Sequence, residues 1–136
     1  MATGPLPQEL QDLLSRPNPA VIATLRPDGQ PVTVATWYLF ENGRVLVNMD
    51  EGRKRLAHMR NDPRVSLTAL AEGDWYTHVS VQGRIVEWVD DVDLMDIDRL
   101  STHYTGKPYR ARDRPRVSAW IEIESWHDWG PANRRS

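Results

Sequence analysis

The 136-residue sequence contains no cysteine. This absence excludes disulfide scaffolds, thiol nucleophiles, thiolate-held iron–sulfur clusters and thiolate zinc sites. The four histidines show neither HExxH nor HxH spacing, and the chain has no Gly-x-Ser-x-Gly elbow, Walker sequence or Gly-x-Gly-x-x-Gly loop. Motifs for the common metal, acyl-transfer, triphosphate and dinucleotide sites are therefore missing.

Long apolar runs and a strong net charge are missing as well. No stretch approaches the ~20 apolar residues that a membrane-spanning helix needs. The first ten residues, MATGPLPQEL, lack the pattern of a secretory signal, and no lipidation box is evident. The formal net charge of -2 gives no field that would concentrate nucleic acid or anionic lipid. We expect a cytoplasmic chain with no membrane span, no nucleic-acid partner and only a local anion site.

Length and composition favour one ordinary globular domain over residues 1–136, with a mobile tail at residues 130–136. Among the basic residues, only Lys54 and Lys107 are lysines, so the remainder of the 17 Lys and Arg are all arginine. Arginine presents a planar fork that suits carboxylate and phosphate, although the same bias follows from a GC-rich genome.

Three helices are predicted by apolar spacing. Leucines in LPQELQDLL form one helical stripe that ends at Pro17. GRKRLAHMRNDP predicts a second helix in which Leu56 and Met59 pack inward. A third helix follows Asp90 or Asp91, either of which can cap it, and ends at Gly106.

Strands are predicted where the apolar spacing changes to two. AVIATL, VTVATWYLF and RVLVNM are separated by Pro-Asp-Gly and Asn-Gly turns and predict a three-stranded meander. RVSLTALA and WYTHVSVQGRIVEWV follow as two further strands, and the interior Gly83 indicates a bulge or bend. VSAWIEIESW predicts a sixth strand.

The tight antiparallel turns exclude a doubly wound α/β sheet. Six short strands in about 110 residues suit a mainly β (α+β) fold, a six-stranded antiparallel split β-barrel with flanking helices. Side chains fill the core of so small a barrel, so we expect a ligand on its outside or at an interface.

One basic cluster, Arg53-Lys54-Arg55, opens the second predicted helix. Free N–H groups and the helix dipole favour an anion at such a position, and the added cations strengthen the attraction for a phosphate. The alternative is a solvated surface, where cations at a helix start cost a few tenths of a kcal/mol against the dipole.

The order and spacing of several short motifs carry a family resemblance. The chain resembles the pyridoxamine-phosphate-oxidase-like split-barrel family over about 110 residues. The motifs are Asp28-Gly29-Gln30-Pro31, Asn42-Gly43-Arg44, Gly52-Arg53-Lys54-Arg55, Asn61-Asp62-Pro63-Arg64-Val65 and Val81-Gln82-Gly83-Arg84-Ile85-Val86. A further phrase, Tyr104-Thr105-Gly106-Lys107-Pro108-Tyr109, is similar to one in the branch that uses the deazaflavin coenzyme F420.

The resemblance implies a homodimer with two cofactors in grooves between the protomers. It places the cofactor phosphate, and the oligoglutamyl tail of F420, on the basic cluster, with Asn48 beside the phosphate entrance. It places the flavin or deazaflavin ring against a strand, and His78 where FMN oxidases often have Gln. The positions that match are Val34, Ala35, Thr36, Trp37, Asn48, Arg53, Lys54, Arg55 and His78.

The resemblance favours F420 over FMN, because Val34 stands where the FMN branch has an arginine and because Trp37 and the Tyr104–Tyr109 phrase match the deazaflavin branch. No carboxyl-terminal Arg/His signature for a vitamin B6 substrate is evident, so vitamin B6 oxidation is not expected. The expected activity is therefore hydride transfer from reduced F420 to a conjugated small molecule. An FMN-dependent oxidoreductase and a non-catalytic flavin-, deazaflavin- or haem-binding protein remain alternatives. The sequence shows no obligatory acid or base, and Tyr38 and Tyr109 are the nearest proton donors by position.

Two groups of residues, the tryptophans and a set of arginines, each allow two interpretations. The six tryptophans suit core or dimer packing, and one or two of them suit a cleft wall. Arg110, Arg112, Arg114 and Arg116 alternate in the sequence, so an extended backbone would aim all four to one side. They form either a solvated loop or a surface for a polyglutamyl tail or an acidic partner.

Overall fold

A computed structural model describes residues 2–130 and contains three helices and seven strands. In chain order these are α1 (Gln8–Leu14), β1 (Ala20–Leu25), β2 (Pro31–Thr36), β3 (Leu39–Glu41), β4 (Arg44–Asp50), α2 (Lys54–Asn61), β5 (Arg64–Ala71), β6 (Asp74–Asp90), α3 (Met95–Thr105) and β7 (Arg116–Trp129). The predicted mobile tail lies outside the described residues from position 131 onward. Within residues 2–130, no helix is long and apolar enough to span a membrane.

The strands form one antiparallel sheet in the order β2-β1-β5-β6-β7-β4-β3. β2 and β3 lie at opposite ends of this order, yet only Trp37 and Tyr38 separate them in the chain. The step from Thr36 to Leu39 spans at most about 11 Å, so the two ends of the sheet lie close together. The sheet therefore curls into an open barrel, which confirms the predicted fold class.

The predicted second strand, VTVATWYLF, is divided into β2 and β3, which gives seven strands where six were expected. The predicted meander is wrong, because β2 pairs with β1 whereas β3 pairs with β4. The side chains between them explain the break. Tyr38 is fully buried and accepts a hydrogen bond from Asn18 Nδ2 at 2.9 Å, while Trp37 stacks on Tyr104 with ring centroids 5.4 Å apart.

The bulge expected at Gly83 is confirmed. The pairing of β6 with β7 shifts register between Gln82 and Gly83. A Cβ atom at Gly83 would lie 1.8 Å from the carbonyl oxygen of Glu122, so only glycine permits this close approach of the two backbones.

The helices follow the predicted apolar spacing. α1 buries three leucines, and α2 buries Leu56 and Met59 as expected. α3 ends at Gly106 in the left-handed conformation, with φ at +79°. Asp91, rather than Asp90, caps this helix by accepting hydrogen bonds from the backbone N–H groups of Asp96 and Ile97. α1, α2 and the inner sheet face share one apolar core, whereas the buried apolar residues of α3, Ile97 and Leu100, lie outside that cluster.

Candidate functional site

Two adjoining cavities beside β2 form one cleft. The first, here the aromatic section, has a volume of about 700 Å³. The second, here the cationic section, has a volume of about 970 Å³. Ala35, Arg55, Tyr109 and Arg116 line both sections and so mark their junction. The aromatic section is otherwise lined by Pro17, Pro19, Ala20, Val21, Thr36, Trp37, Asn48, Leu70, Glu72, Ile97, Leu100 and Tyr104. The cationic section is otherwise lined by Thr24, Arg26, Val32, Thr33, Val34, Met49, Asp50, Arg53, Lys54 and His58.

Three rings wall the aromatic section. Trp37 stacks nearly parallel on Tyr104, at an interplanar angle of 12°, and meets Tyr109 edge-on with centroids 6.2 Å apart. The Tyr104 hydroxyl donates to the carbonyl oxygen of Asn18 at 2.7 Å, and burial raises the pKa of Tyr104 to about 12. This phenol is therefore neutral near pH 7, and the aromatic section is mostly apolar and suited to a planar ligand.

The two tyrosines expected as proton donors differ in position. Tyr38 is fully buried, and this burial raises its pKa well above the ordinary value. It lines neither section of the cleft, so its role is structural. Tyr109 lines both sections, and its ring carries the guanidinium of Arg116 at 4.7 Å from its centroid.

The cationic section is built on the first turn of α2. Arg53 is the N-cap residue, no side chain caps the helix, and its first turn contains no acidic residue. Arg55 points inward, with Nη2 3.4 Å from the carbonyl oxygen of Asn48. Burial, together with repulsion from Arg53 and Arg116, lowers the pKa of Arg55, whereas the charge of Asp50 opposes that shift.

Asp50 is the one acidic residue that lines the cationic section within residues 2–130. It pairs with Arg116, with Arg114 at 3.4 Å and with Arg53 at 3.6 Å. One carboxylate therefore faces several cations. The excess positive charge suits an anionic group with more than one negative charge.

The structure brings eight of the nine predicted site residues into this cleft. Thr36, Trp37 and Asn48 line the aromatic section, Val34, Arg53 and Lys54 line the cationic section, and Ala35 and Arg55 line both. His78 lines neither section; it lies in β6, where its Nδ1 is 3.1 Å from the carbonyl oxygen of Trp75. The cofactor roles of all nine remain predictions.

The four alternating arginines do not share one side. Arg112 pairs with Asp98 at 2.9 Å, and the pKa of Asp98 falls because it accepts these hydrogen bonds. Arg114 is exposed and pairs with Asp50, whereas Arg116 begins β7 and enters the cleft. Arg116 was predicted only as one of the four alternating arginines of a solvated loop or a tail-binding surface, and Tyr104 only as part of the YTGKPY phrase. Neither was among the nine predicted cofactor-binding residues, and nothing local distinguishes Arg116 from the other three arginines.

The chain matches one protein-family model and is similar to several solved structures. The family model described as pyridoxamine 5'-phosphate oxidase matches residues 6–130. A solved F420 reductase superposes with a TM-score of 0.83 at 22% identity, covering 90% of this chain and 98% of that one. An FAD-binding protein from Mesorhizobium loti superposes with a TM-score of 0.64 at 27% identity, covering 93% of this chain and 96% of that one. A conserved hypothetical protein from Mycobacterium tuberculosis superposes with a TM-score of 0.69 at 24% identity, covering 93% of this chain and 86% of that one. No curated protein matches the chain.

Proposed function

From the premise that the chain belongs to the pyridoxamine 5'-phosphate oxidase family, we propose that it is an F420-dependent oxidoreductase. It transfers a hydride from the reduced deazaflavin to a conjugated small molecule. The family and the structural neighbours support a flavin-type cofactor in general.

The observation that carries the proposal is the continuity of the two sections. The aromatic section passes, at Ala35, Arg55, Tyr109 and Arg116, directly into a region with excess positive charge. A molecule with a planar ring at one end and phosphate and carboxylate groups at the other fits this order. The donor set therefore fits the cofactor: three rings beside the planar part and several guanidinium and ammonium groups beside the anionic part.

The protein would contribute binding, orientation and exclusion of water. Ala35, Thr36 and Trp37 would contact the ring, and Arg53, Lys54 and Arg55 would hold the phosphate and the acidic tail. Bound F420 would supply the hydride chemistry itself. The neutral Tyr104 keeps charge away from the ring, and Tyr109, at the junction, is the candidate proton donor to a substrate.

Val34 supports F420 over FMN. This side chain lines the cationic section and is 42% exposed, so β2 presents a methyl surface where an FMN-binding relative would present a cation. FMN is the second candidate because the family and the FAD-binding protein from Mesorhizobium loti, which shares 27% identity over 93% of this chain, support a flavin-type cofactor in general. A protein that binds either ligand without turnover is the third.

Fluorescence titration of the apo protein with F420 and with FMN separates the three. We expect tighter binding of F420, and oxidation of reduced F420 when a conjugated acceptor is added. Tighter binding of FMN would make the F420 assignment wrong and leave the fold intact. Tight binding without oxidation by a broad panel of acceptors would favour the non-catalytic alternative.

Lys54→Ala tests the anion-binding role of the basic cluster. Lys54 is exposed, so its loss should leave the melting temperature of the apo protein nearly unchanged. A lost charged hydrogen bond should weaken F420 binding about 10- to 150-fold. Lys107→Ala removes the other lysine, which lines neither section, and should bind F420 like the wild type. Equal affinities for both variants would indicate that Lys54 belongs to a solvated surface.

A further inference from the structure

Asn48 is a buried residue that contacts both arginines at the junction of the two sections of the cleft. It is 5% exposed, and all of its side-chain polar atoms are engaged. Its Nδ2 donates to Asp91 at 3.1 Å and to Ser118 at 2.9 Å, and its Oδ1 accepts from Arg116 Nε at 2.7 Å. Its backbone carbonyl lies 3.4 Å from Arg55 Nη2. One residue therefore contacts both guanidinium groups of the junction.

The orientation of this amide is determined by its neighbours. A flipped Asn48 would turn its N–H groups toward Arg116, which has only donors, and its oxygen toward the Asp91 carboxylate, which has only acceptors when ionised. Asp91 is itself held by the N–H groups of Asp96 and Ile97 at the start of α3. The start of α3 thereby fixes the side chain that positions Arg116.

Arg116 is held rigidly but retains donors. Its side chain is 9% exposed, Nε and Nη1 bond Asn48 and Asp50, and its plane lies over the ring of Tyr109. Among residues 2–130, no hydrogen-bond partner occupies its Nη2, and the residue lines both sections of the cleft. A guanidinium fixed on one side with donors left on the other is preorganised to bind an oxyanion.

The close approach of Arg55 and Arg116 is electrostatically unfavourable without an anion. Each repels the other, and Asp50 is shared among Arg53, Arg114 and Arg116. Unfavourable local charge of this kind tends to occur at functional sites. A phosphate between the two guanidinium groups would relieve the repulsion.

We propose that Arg116 is a phosphate-binding residue, that Asn48 pairs it with Arg55, and that this pair rather than the exposed cations holds the cofactor phosphate. Arg53 and Lys54, which line only the cationic section, hold the acidic tail. The order of cations along the cleft then matches the order of groups in the cofactor, in which the phosphate stands between ring and tail. This inference rests on the proposed function for the identity of the ligand.

The test compares ligands that differ by the phosphate. Arg116→Gln should weaken FMN and F420 binding about 10- to 150-fold. Its affinities for riboflavin and for the phosphate-free ribityl deazaflavin should stay within about twofold of those of the wild type. Arg114→Gln is the matched control, since it removes an arginine from the same Asp50 yet lines neither section. Its affinities should equal those of the wild type. Lys54→Ala should weaken F420 more than FMN, which has no acidic tail.

Arg116→Lys is a second variant that keeps the test valid if Arg116→Gln fails to fold. It keeps the charge but loses the fork, so it should give an intermediate loss for the phosphate-bearing ligands alone. Equal losses for phosphate-bearing and phosphate-free ligands, unchanged affinities in Arg116→Gln, or an equal loss in Arg114→Gln would each overturn the proposal.

Inorganic pyrophosphate distinguishes failure of this inference from failure of the proposed function. Pyrophosphate should raise the melting temperature of the wild-type apo protein and of Arg114→Gln, but not of Arg116→Gln. If the wild type binds no flavin or deazaflavin and still shows this pattern, the proposed function is wrong and the phosphate site stands. If pyrophosphate stabilises Arg116→Gln as much as the wild type, the phosphate site is wrong.

Discussion

At the scale of single residues, a buried amide joins the cleft wall to α1. Asn18 Nδ2 donates to the carbonyl oxygen of Leu13 at 2.6 Å and to the Tyr38 hydroxyl at 2.9 Å. Its own carbonyl oxygen accepts from the Tyr104 hydroxyl at 2.7 Å. Both phenols are therefore tied to one asparagine, and burial raises the pKa of each above its ordinary value.

Stability should fall at alkaline pH because of these phenols. Burial raises the pKa of Tyr104 to about 12, so the folded state keeps a proton that the unfolded state loses near pH 10. The stabilisation is complete below about pH 10 and is lost as the pH rises toward 12. Tyr104→Phe should lower stability by about 1 kcal/mol at neutral pH, through the lost hydrogen bond, and flatten the alkaline decline.

Urea unfolding at a series of alkaline pH values checks this slope. Tyr76→Phe is the matched control because Tyr76 is 57% exposed and lies outside the cleft. It should follow the wild-type curve. A Tyr104→Phe curve as steep as that of the wild type would contradict the prediction.

The sequence predicts the cations at the start of α2 better than it predicts Arg116. Arg53, Lys54 and Arg55 are consecutive at a helix start, and a local rule finds such a cluster. Arg116 enters the cleft because Asn48 and Asp50, 68 and 66 residues away in the chain, accept its hydrogen bonds. No periodicity around Arg116 reports partners at that separation. The contrast with exposed Arg114, two residues earlier, is set by tertiary contacts alone.

At the scale of elements, the division of VTVATWYLF into β2 and β3 creates the cleft. β2 pairs only with β1, so its other edge is open beside the cavities. Trp37 turns out of the strand to stack on α3, and Tyr38 turns into the core. The stretch is rich in β-branched and aromatic residues and contains no Gly, Pro or turn residue, so local sequence alone predicts one strand. The break depends on Tyr104 in α3 and on Asn18 in the loop after α1, which local sequence does not reveal.

Gly83 gives a prediction about β6. Alanine there would place Cβ 1.8 Å from the Glu122 carbonyl oxygen, which is backbone and cannot rotate away. We expect Gly83→Ala to destabilise the fold by about 3 kcal/mol or more, since overpacking usually costs 1–3 kcal/mol when side chains can adjust. Chemical denaturation measures the loss.

Gly52→Ala is the matched control for this substitution. No heavy atom lies within 4 Å of a Cβ at that position, and φ is not positive. The change in the free energy of unfolding should stay below about 1 kcal/mol. Similar losses in both variants would show that the bulge tolerates a side chain and that the register shift has another cause.

At the scale of the whole molecule, turn chemistry was enough to predict an antiparallel barrel, but not the order of its strands. β7 lies between β6 and β4, although α3 and a long loop separate it from the former and more than sixty residues from the latter. Such pairing is decided by burial across the barrel. Local sequence also does not predict which tryptophans are buried. Trp37 lines the cleft, whereas Trp75 and Trp129 are 62% and 55% exposed.

The exposed face of β2 supports a homodimer as a proposal. Every residue of β2 is exposed or half-buried, and Val32 and Val34, which share one face of the strand, are 37% and 42% exposed. An apolar strand face of this kind next to an open cleft is typical of a protein interface. A partner on this face would cover the valines and close the cleft. We therefore expect light scattering at micromolar concentration to give twice the 15.6 kDa of one chain.

Val32→Glu locates the interface on this face. Glutamate there would place a longer, charged side chain in the contact, which should shift a micromolar dimer toward monomer. Val92→Glu is the matched control, because Val92 is 83% exposed on the loop before α3 and should leave the mass unchanged. A wild-type monomer would contradict the dimer. A Val32→Glu protein that stays dimeric would place the interface elsewhere, and the cleft would then have to bind its cofactor with residues of one chain alone.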